Sequence, residues 1–242
     1  VFIMGRAHEV RAKKMAATSA AKSALYMRAS KEIYMAAKSG EPDPNSNLAL
    51  RAVLEKYKGQ GVTKDVIERA INKAKGGEKV AYESGRYEGY GPSNVAIIVD
   101  TLTDNVRRAY DSVRMCFNKK GGHLGTPGSV AYNFTETGLI TFVGNDVDGV
   151  TEALVLGDVN VDDVSQDDDL IVVKVDKSDL MKAKQCLNDA GYNEFEQCEI
   201  TMLPNDEVVL AGDEARKFND LLDLLDEVED VQNVYHNAKI EE

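Results

Sequence analysis

Apolar residues recur at helical spacing in three segments early in the chain. Leu25, Ala29, Ile33 and Ala36 form one stripe within an Ala-, Lys- and Met-rich run over 11–39 that holds no Gly or Pro. Gly40 and Pro42 stop it. Leu50, Val53, Leu54 and Tyr57 line a second segment, with N-caps on offer in Asn45-Ser46-Asn47 and Gly59 and Gly61 behind it. Ile67, Ala70, Ile71 and Ala74 line a third, which Thr63 can cap and Gly76-Gly77 closes. Three amphipathic helices on short turns predict a small helical domain over 4–79.

Beyond residue 79 the period changes. Val95-Ala-Ile-Ile-Val99 reads as a buried strand. Asn105 can cap a helix with Val106, Ala109, Tyr110, Val113 and Phe117 on one stripe, closed by Gly121-Gly122. Val130, Tyr132 and Phe134 then alternate as a half-buried strand. A strand over 139–143, a helix over about 146–156, strands over 159–164 and 170–175, a helix capped by Ser178 and a strand through Cys198, Ile200 and Met202 follow. That is β-α-β-β-α-β, the ferredoxin-like order. The remainder predicts a strand over 207–210, a helix over 213–228 and a strand over 231–235, which complete the β-α-β left open before. The expected fold is therefore α+β: an N-terminal three-helix domain followed by two ferredoxin-like α/β domains, one inserted in the other. The outer one takes 80–135 plus 203–242 and the inner one 136–202.

Charge divides the chain unevenly. Residues 4–79 carry 16 Lys/Arg against 8 Asp/Glu, while 80–242 carry 13 against 33, within an overall net charge of −12. An acidic body does not attract polyanions, so nucleic acid would be met first by the basic segment. Arg6, Arg11, Lys13, Lys14, Lys22 and Arg28 can each neutralise a phosphate, and His8 adds a stacking or hydrogen-bonding group. The plain alternative is a solvated helix face. Asn118-Lys-Lys-Gly-Gly-His123 offers a second contact through Lys119 and Lys120, or else an ordinary glycine cap with lysines set against the helix dipole. Tyr87 and Tyr90, set among glycines in Tyr87-Glu-Gly-Tyr-Gly-Pro92, could stack on bases or fill an interdomain seam.

Other chemistry finds little support in the sequence. Gly125-Thr-Pro-Gly-Ser129 lacks the lysine of a phosphate-binding loop. Asp162, Asp163, Asp167, Asp168 and Asp169 lack the spacing of a calcium loop, and His8, His123 and His236 lack that of a zinc site. No catalytic residue, metal ligand or cofactor is assigned; His236 reads as a structural histidine. Three cysteines outside any C-x-x-C pair suggest reduced thiols, and no apolar run reaches the roughly 18 residues of a membrane span. A cytoplasmic location is expected, with Met4 as the native first residue.

Several motifs together carry a resemblance. Gly5-Arg6, Gly40-Glu-Pro-Asp-Pro44, Ile67-Glu-Arg-Ala-Ile71 with Lys75-Gly-Gly77, Tyr87-Glu-Gly-Tyr-Gly-Pro92, Asn118-Lys-Lys-Gly-Gly122, Gly128-Ser-Val-Ala-Tyr132 and Asp230-Val-Gln-Asn-Val-Tyr-His-Asn237 occur in order along nearly the whole chain. They resemble the YebC/PmpR family, which includes the mitochondrial translational activator of cytochrome c oxidase. The start, Gly5-Arg-Ala-His-Glu-Val-Arg11, is closer to the shorter-start branch than to the Gly-His-Ser-Lys-Trp-Ala start of many members. The resemblance implies a nucleic-acid-binding regulator. The expected partner is ribosomal RNA, in a translation factor that relieves stalled elongation. A transcriptional regulator on promoter DNA is the runner-up, and a metal-dependent enzyme or a protein-interaction adaptor are the remaining readings.

Overall fold

Asn47 shows how the helical region is tied together. Its Oδ1 accepts from the Leu50 amide at 3.0 Å, capping one helix, while its Nδ2 donates to Ala36 O at 2.8 Å and Glu41 O at 2.9 Å, holding the end of the helix before. The computed structural model describes residues 19–77 and 79–241. Within it α1 spans Ser19–Lys38, α2 Leu48–Tyr57 and α3 Lys64–Lys75. Ile33, Tyr34, Leu50, Tyr57 and Ala70 close the core of the three helices, as their spacing requires. Burying an Ile or Leu side chain stabilises by about 1.5–3 kcal/mol. The first turns of the long helix expected over 11–39, and Arg6, His8, Arg11, Lys13 and Lys14, lie outside the described residues.

The described chain divides into two compact units, one of residues 135–203 and one of 19–134 with 204–241. In the larger unit the helices share a body with an antiparallel sheet. Its strands are β1 (Glu83–Tyr90), β2 (Ala96–Thr103), β3 (His123–Leu124) and β9 (Val231–His236), in the order β3-β1-β2-β9. Between β2 and β3 runs α4 (Val106–Lys119), capped by Asn105, whose Oδ1 accepts from the Arg108 amide at 3.0 Å. After the smaller unit come β8 (Val208–Leu210) and α7 (Gly212–Asp226). Val95, Ile97, Val99, Val113, Phe117, Phe218 and Leu221 form the core of this sheet and its helices. β8 leaves the sheet and pairs in parallel with β10 (Ala238–Ile240).

This sheet keeps ferredoxin-like neighbours with different members from those expected. The place expected for 207–210 is taken by β1, which precedes β2 and pairs with it from Glu83↔Thr103 to Tyr90↔Ala96, and the place expected for 130–134 is taken by β3. Ala131–Asn133 is instead a short 3-10 turn, and Tyr132 stands 79% exposed. The cause is the buried carboxylate of Glu88 on β1, which accepts from the amides of Gly128, Val130 and Ala131. Those amides are thereby withdrawn from any strand ladder.

The smaller unit follows the sequence closely. It comprises β4 (Phe134–Val143), α5 (Val147–Leu156), β5 (Val161–Asp167), β6 (Leu170–Val175), α6 (Leu180–Asp189) and β7 (Gln197–Pro204), with sheet order β5-β6-β4-β7. Ile140, Phe142, Val150, Leu154, Ile171 and Leu187 fill its core. Ser178 is not the helix cap; Asp176 accepts from the Ser178 amide at 2.8 Å and opens a 3-10 turn ahead of α6. The chain leaves for this unit and returns from it at adjoining points, where the Asn205 amide donates to Asn133 O at 2.8 Å.

Candidate nucleic-acid interface

Two helix ends bring lysines together over one ring. Lys38, in the last turn of α1, and Lys73, in the last turn of α3, place Nζ 5.9 Å and 5.7 Å from the centroid of Tyr34. The Tyr34 hydroxyl accepts from the Val80 amide at 3.1 Å, which brings Lys79 alongside. Lys38, Lys73, Lys75 and Lys79 are all exposed. The negative ends of both helices and the face of the ring favour cations here. Each ammonium lies within reach of the same ring, so a phosphate arriving there would meet two positive charges. The two lysines lie thirty-five positions apart, so the sequence holds no local sign of the pair beyond each one's position at a helix end.

The candidates named from the sequence separate when placed. Lys22 is exposed on α1 and Lys119 exposed at the end of α4. Arg28 turns inward: its guanidinium donates to Val231 O, to Asp226 O at 3.2 Å and to Asp226 Oδ1 at 3.3 Å, with its side chain only 12% exposed. Arg28 therefore holds α1 against the α/β body and is no free phosphate contact. Lys120 likewise reaches Asp220 on α7 at 2.8 Å, which neutralises it. Of the two lysines in that loop, Lys119 is the one that stands exposed.

Beside Lys119 the chain is pinned to β1. The Gly125 amide donates to Glu88 O at 2.8 Å, the Tyr90 hydroxyl donates to Ser129 O at 3.0 Å, and the His123 ring lies 5.6 Å from that of Tyr90. Tyr87 is partly buried. It packs on the core of its own sheet, 5.8 Å from Tyr110, and burial together with Tyr110 and Asp230 raises its hydroxyl pKa above 10.0. Burial also pushes the Cys116 thiol up, which leaves it a poor nucleophile.

A cleft of about 470 Å³ opens on the sheet, lined among others by Glu32, Ser84, Arg86, Asp100, Gln232 and Asn233. Its charges are matched: Arg86 clasps Asp100 at 2.6 and 2.8 Å, and Lys56 holds Glu32 at 2.9 Å. Carboxylates in its walls make it unsuited to phosphate. The aspartates of the β5–β6 hairpin do not gather: among the described residues, no three His, Cys, Asp or Glu side chains stand where they could hold a metal ion. Nor is any described helix long and apolar enough to cross a membrane.

A basic three-helix domain joined to two α/β lobes is the architecture of a family of regulators. Residues 6–77 match the TACO1/YebC protein N-terminal domain, and residues 82–238 match the TACO1/YebC second and third domain. The chain belongs to the TACO1/YebC family. It is 49% identical over 239 residues to a probable transcriptional regulatory protein of Mesoplasma florum, covering 98% of this chain and all of that one. It is 44% identical, over the same length, to one of Vibrio cholerae. A solved structure, a conserved hypothetical protein of Aquifex aeolicus, superposes with a TM-score of 0.76 at 32% identity over 93% of each chain.

Proposed function

We propose that this protein is a nucleic-acid-binding regulator of gene expression whose helical domain docks on RNA, with the ribosome as the partner and relief of stalled elongation as the outcome. The convergence of Lys38 and Lys73 over Tyr34, in a domain of net positive charge on an otherwise acidic chain, carries the reading. An acidic body repels polyanions in general and leaves binding to sites where basic groups and shape coincide. The α/β body then presents Lys119 and His123 from one pinned loop. The regulatory names of the relatives support a binding role rather than catalysis.

A second reading, binding to promoter DNA, is favoured by those same names, each a probable transcriptional regulatory protein. Phosphate contacts serve both polymers alike. Co-sedimentation with ribosomes beside gel shifts on promoter DNA, over a salt series, separates them. Ribosome association that persists at physiological salt while DNA binding fades supports the translation reading. Salt-resistant, sequence-selective DNA binding without ribosome association overturns it in favour of transcription.

A further inference from the structure

Tyr132 departs from the usual burial of a large ring. It is 79% exposed, yet its backbone sits in a short 3-10 turn tied to β1. The fixing group is Glu88, whose side chain is buried within β1 and accepts from the amides of Gly128, Val130 and Ala131. Burying a carboxylate is costly unless it is fully hydrogen-bonded, and a satisfied one makes its surroundings stiff. A second tie, Tyr90 to Ser129 O, holds the same loop from the next outward position of β1. Among the described residues, the ring of Tyr132 belongs to none of the three main hydrophobic cores. The loop is thus tied down at several amides while its ring stands in solvent.

We propose that Tyr132 is a stacking platform for an unpaired nucleobase, with Glu88 as the residue that positions it. The inference rests on the nucleic-acid reading and names a contact within it. A phenol ring offers a flat face to any base, and such stacking is tolerant of sequence. Fixing the ring in advance lowers the ordering cost of binding, which is what the Glu88 turn supplies. The phosphates of the same strand would be met by lysines, such as Lys119 at the head of this loop, and the base by Tyr132. Backbone and base are then read by different groups.

The test uses the full-length protein and a single-stranded RNA oligonucleotide carrying 2-aminopurine, whose fluorescence falls when its ring stacks. Wild type and Tyr132→Phe are expected to bind and quench alike. Tyr132→Ala should lose the quenching and about tenfold in affinity, with the slope of affinity against salt unchanged, since no charge is removed. Because the ring is exposed, Tyr132→Ala should melt at the wild-type temperature. Glu88→Gln sets an amide donor against backbone N–H groups and should diminish the quenching with Tyr132 still present. Equal binding and equal quenching by Tyr132→Ala overturn the proposal. If Lys38→Glu with Lys73→Glu abolishes binding while Tyr132→Ala is silent, the nucleic-acid reading stands and the stacking role falls. If wild type binds no oligonucleotide, both fall.

Discussion

Lys31 and Asp230 meet as a buried ion pair, with Nζ 2.9 Å from Oδ1 and side chains only 5% and 4% exposed. The remaining protons of Lys31 go to Leu102 O at 3.2 Å and Glu229 O at 3.1 Å. Arg108 closes on the same carboxylate through Nε and Nη2, each at 2.9 Å. One acid thereby joins α1, α4 and the turn before β9. This, with Arg28 on Asp226, is why the helical domain and the outer α/β body form one unit rather than two.

Removing that acid leaves a cation stranded. Asp230→Ala is expected to destabilise the larger unit by about 3–5 kcal/mol in urea titration, since Lys31 has nowhere to find water. Replacing both partners, as Lys31→Met with Asp230→Leu, should recover part of the loss; a double variant worse than the single would contradict this account. Acid should act in the same direction. Burial pushes the Asp230 carboxyl up, but the hydrogen bonds from Arg108, Lys31 and Thr103 outweigh it and hold its pKa below 3.8. A depressed folded-state pKa contributes stability that is present above the unfolded value, near 4, and is lost as pH falls through the folded one. Stability should therefore decline below about pH 4, and less steeply in the double variant.

Lys38 and Lys73 can be tested together. Reversing both to Glu should weaken binding to any long polyanion and flatten the plot of log affinity against log salt by about two, one for each phosphate no longer neutralised. The fold should lose only about 1–2 kcal/mol, because both side chains lie in solvent and give up no more than helix-end and ring contacts. An unchanged salt slope would place the interface elsewhere.

Gly121 and Gly122 adjoin but answer different needs. Gly121 has φ +77°, and a Cβ there would meet nothing within 4 Å, so only backbone conformation demands glycine. A Cβ on Gly122 would fall 2.5 Å from Tyr90 O and 3.3 Å from Phe117 Cδ1. Gly121→Ala should cost about 1–2 kcal/mol and Gly121→Asn less, as Asn tolerates that conformation. Gly122→Ala should cost about 1–3 kcal/mol and Gly122→Asn no less, since β3 must move off β1. Thermal melts of the four variants check the contrast.

Gln232 is the extra residue of a bulge, where Asp100 pairs with Asn233 and Thr101 with Val231. Its Nε2 and Oε1 are buried and find no partner among the described residues. Gln232→Leu should leave stability unchanged or raise it by about 1 kcal/mol, as an unpaired buried amide costs more than an apolar group of its size. A clear fall in melting temperature would mean that the amide is partnered after all.

Where a residue's neighbours in sequence decide its structure, the sequence is readable. Asn47 and Asn105 announce their helices, and the stripes of α2, α3 and α7 point to their cores. β1 hides because Gly85, Arg86, Glu88 and Gly89 mask the alternation of a strand. Its glycines let β3 and Phe117 approach, and a Cβ on Gly89 would lie 2.7 Å from His123 O. Tyr132 reads as a strand residue because the group that controls its turn, Glu88, lies far back in the chain. Arg28 and Lys120 look like Lys22 and Lys119, since a basic side chain carries no local mark of the acid it will meet. The Lys38–Lys73 pair, too, exists only once the helices have packed.

The distance along the chain between Lys31 and Asp230, 199 positions, also sets an order of events during synthesis. At about 5–20 residues per second, the helical domain waits roughly 10–40 s for the acid that will seat it. Through that interval Lys31 and Arg28 remain hydrated and uncommitted, and the nascent domain is more basic than the finished one. A chain whose translation halts after the inserted lobe would carry the helices without their anchor.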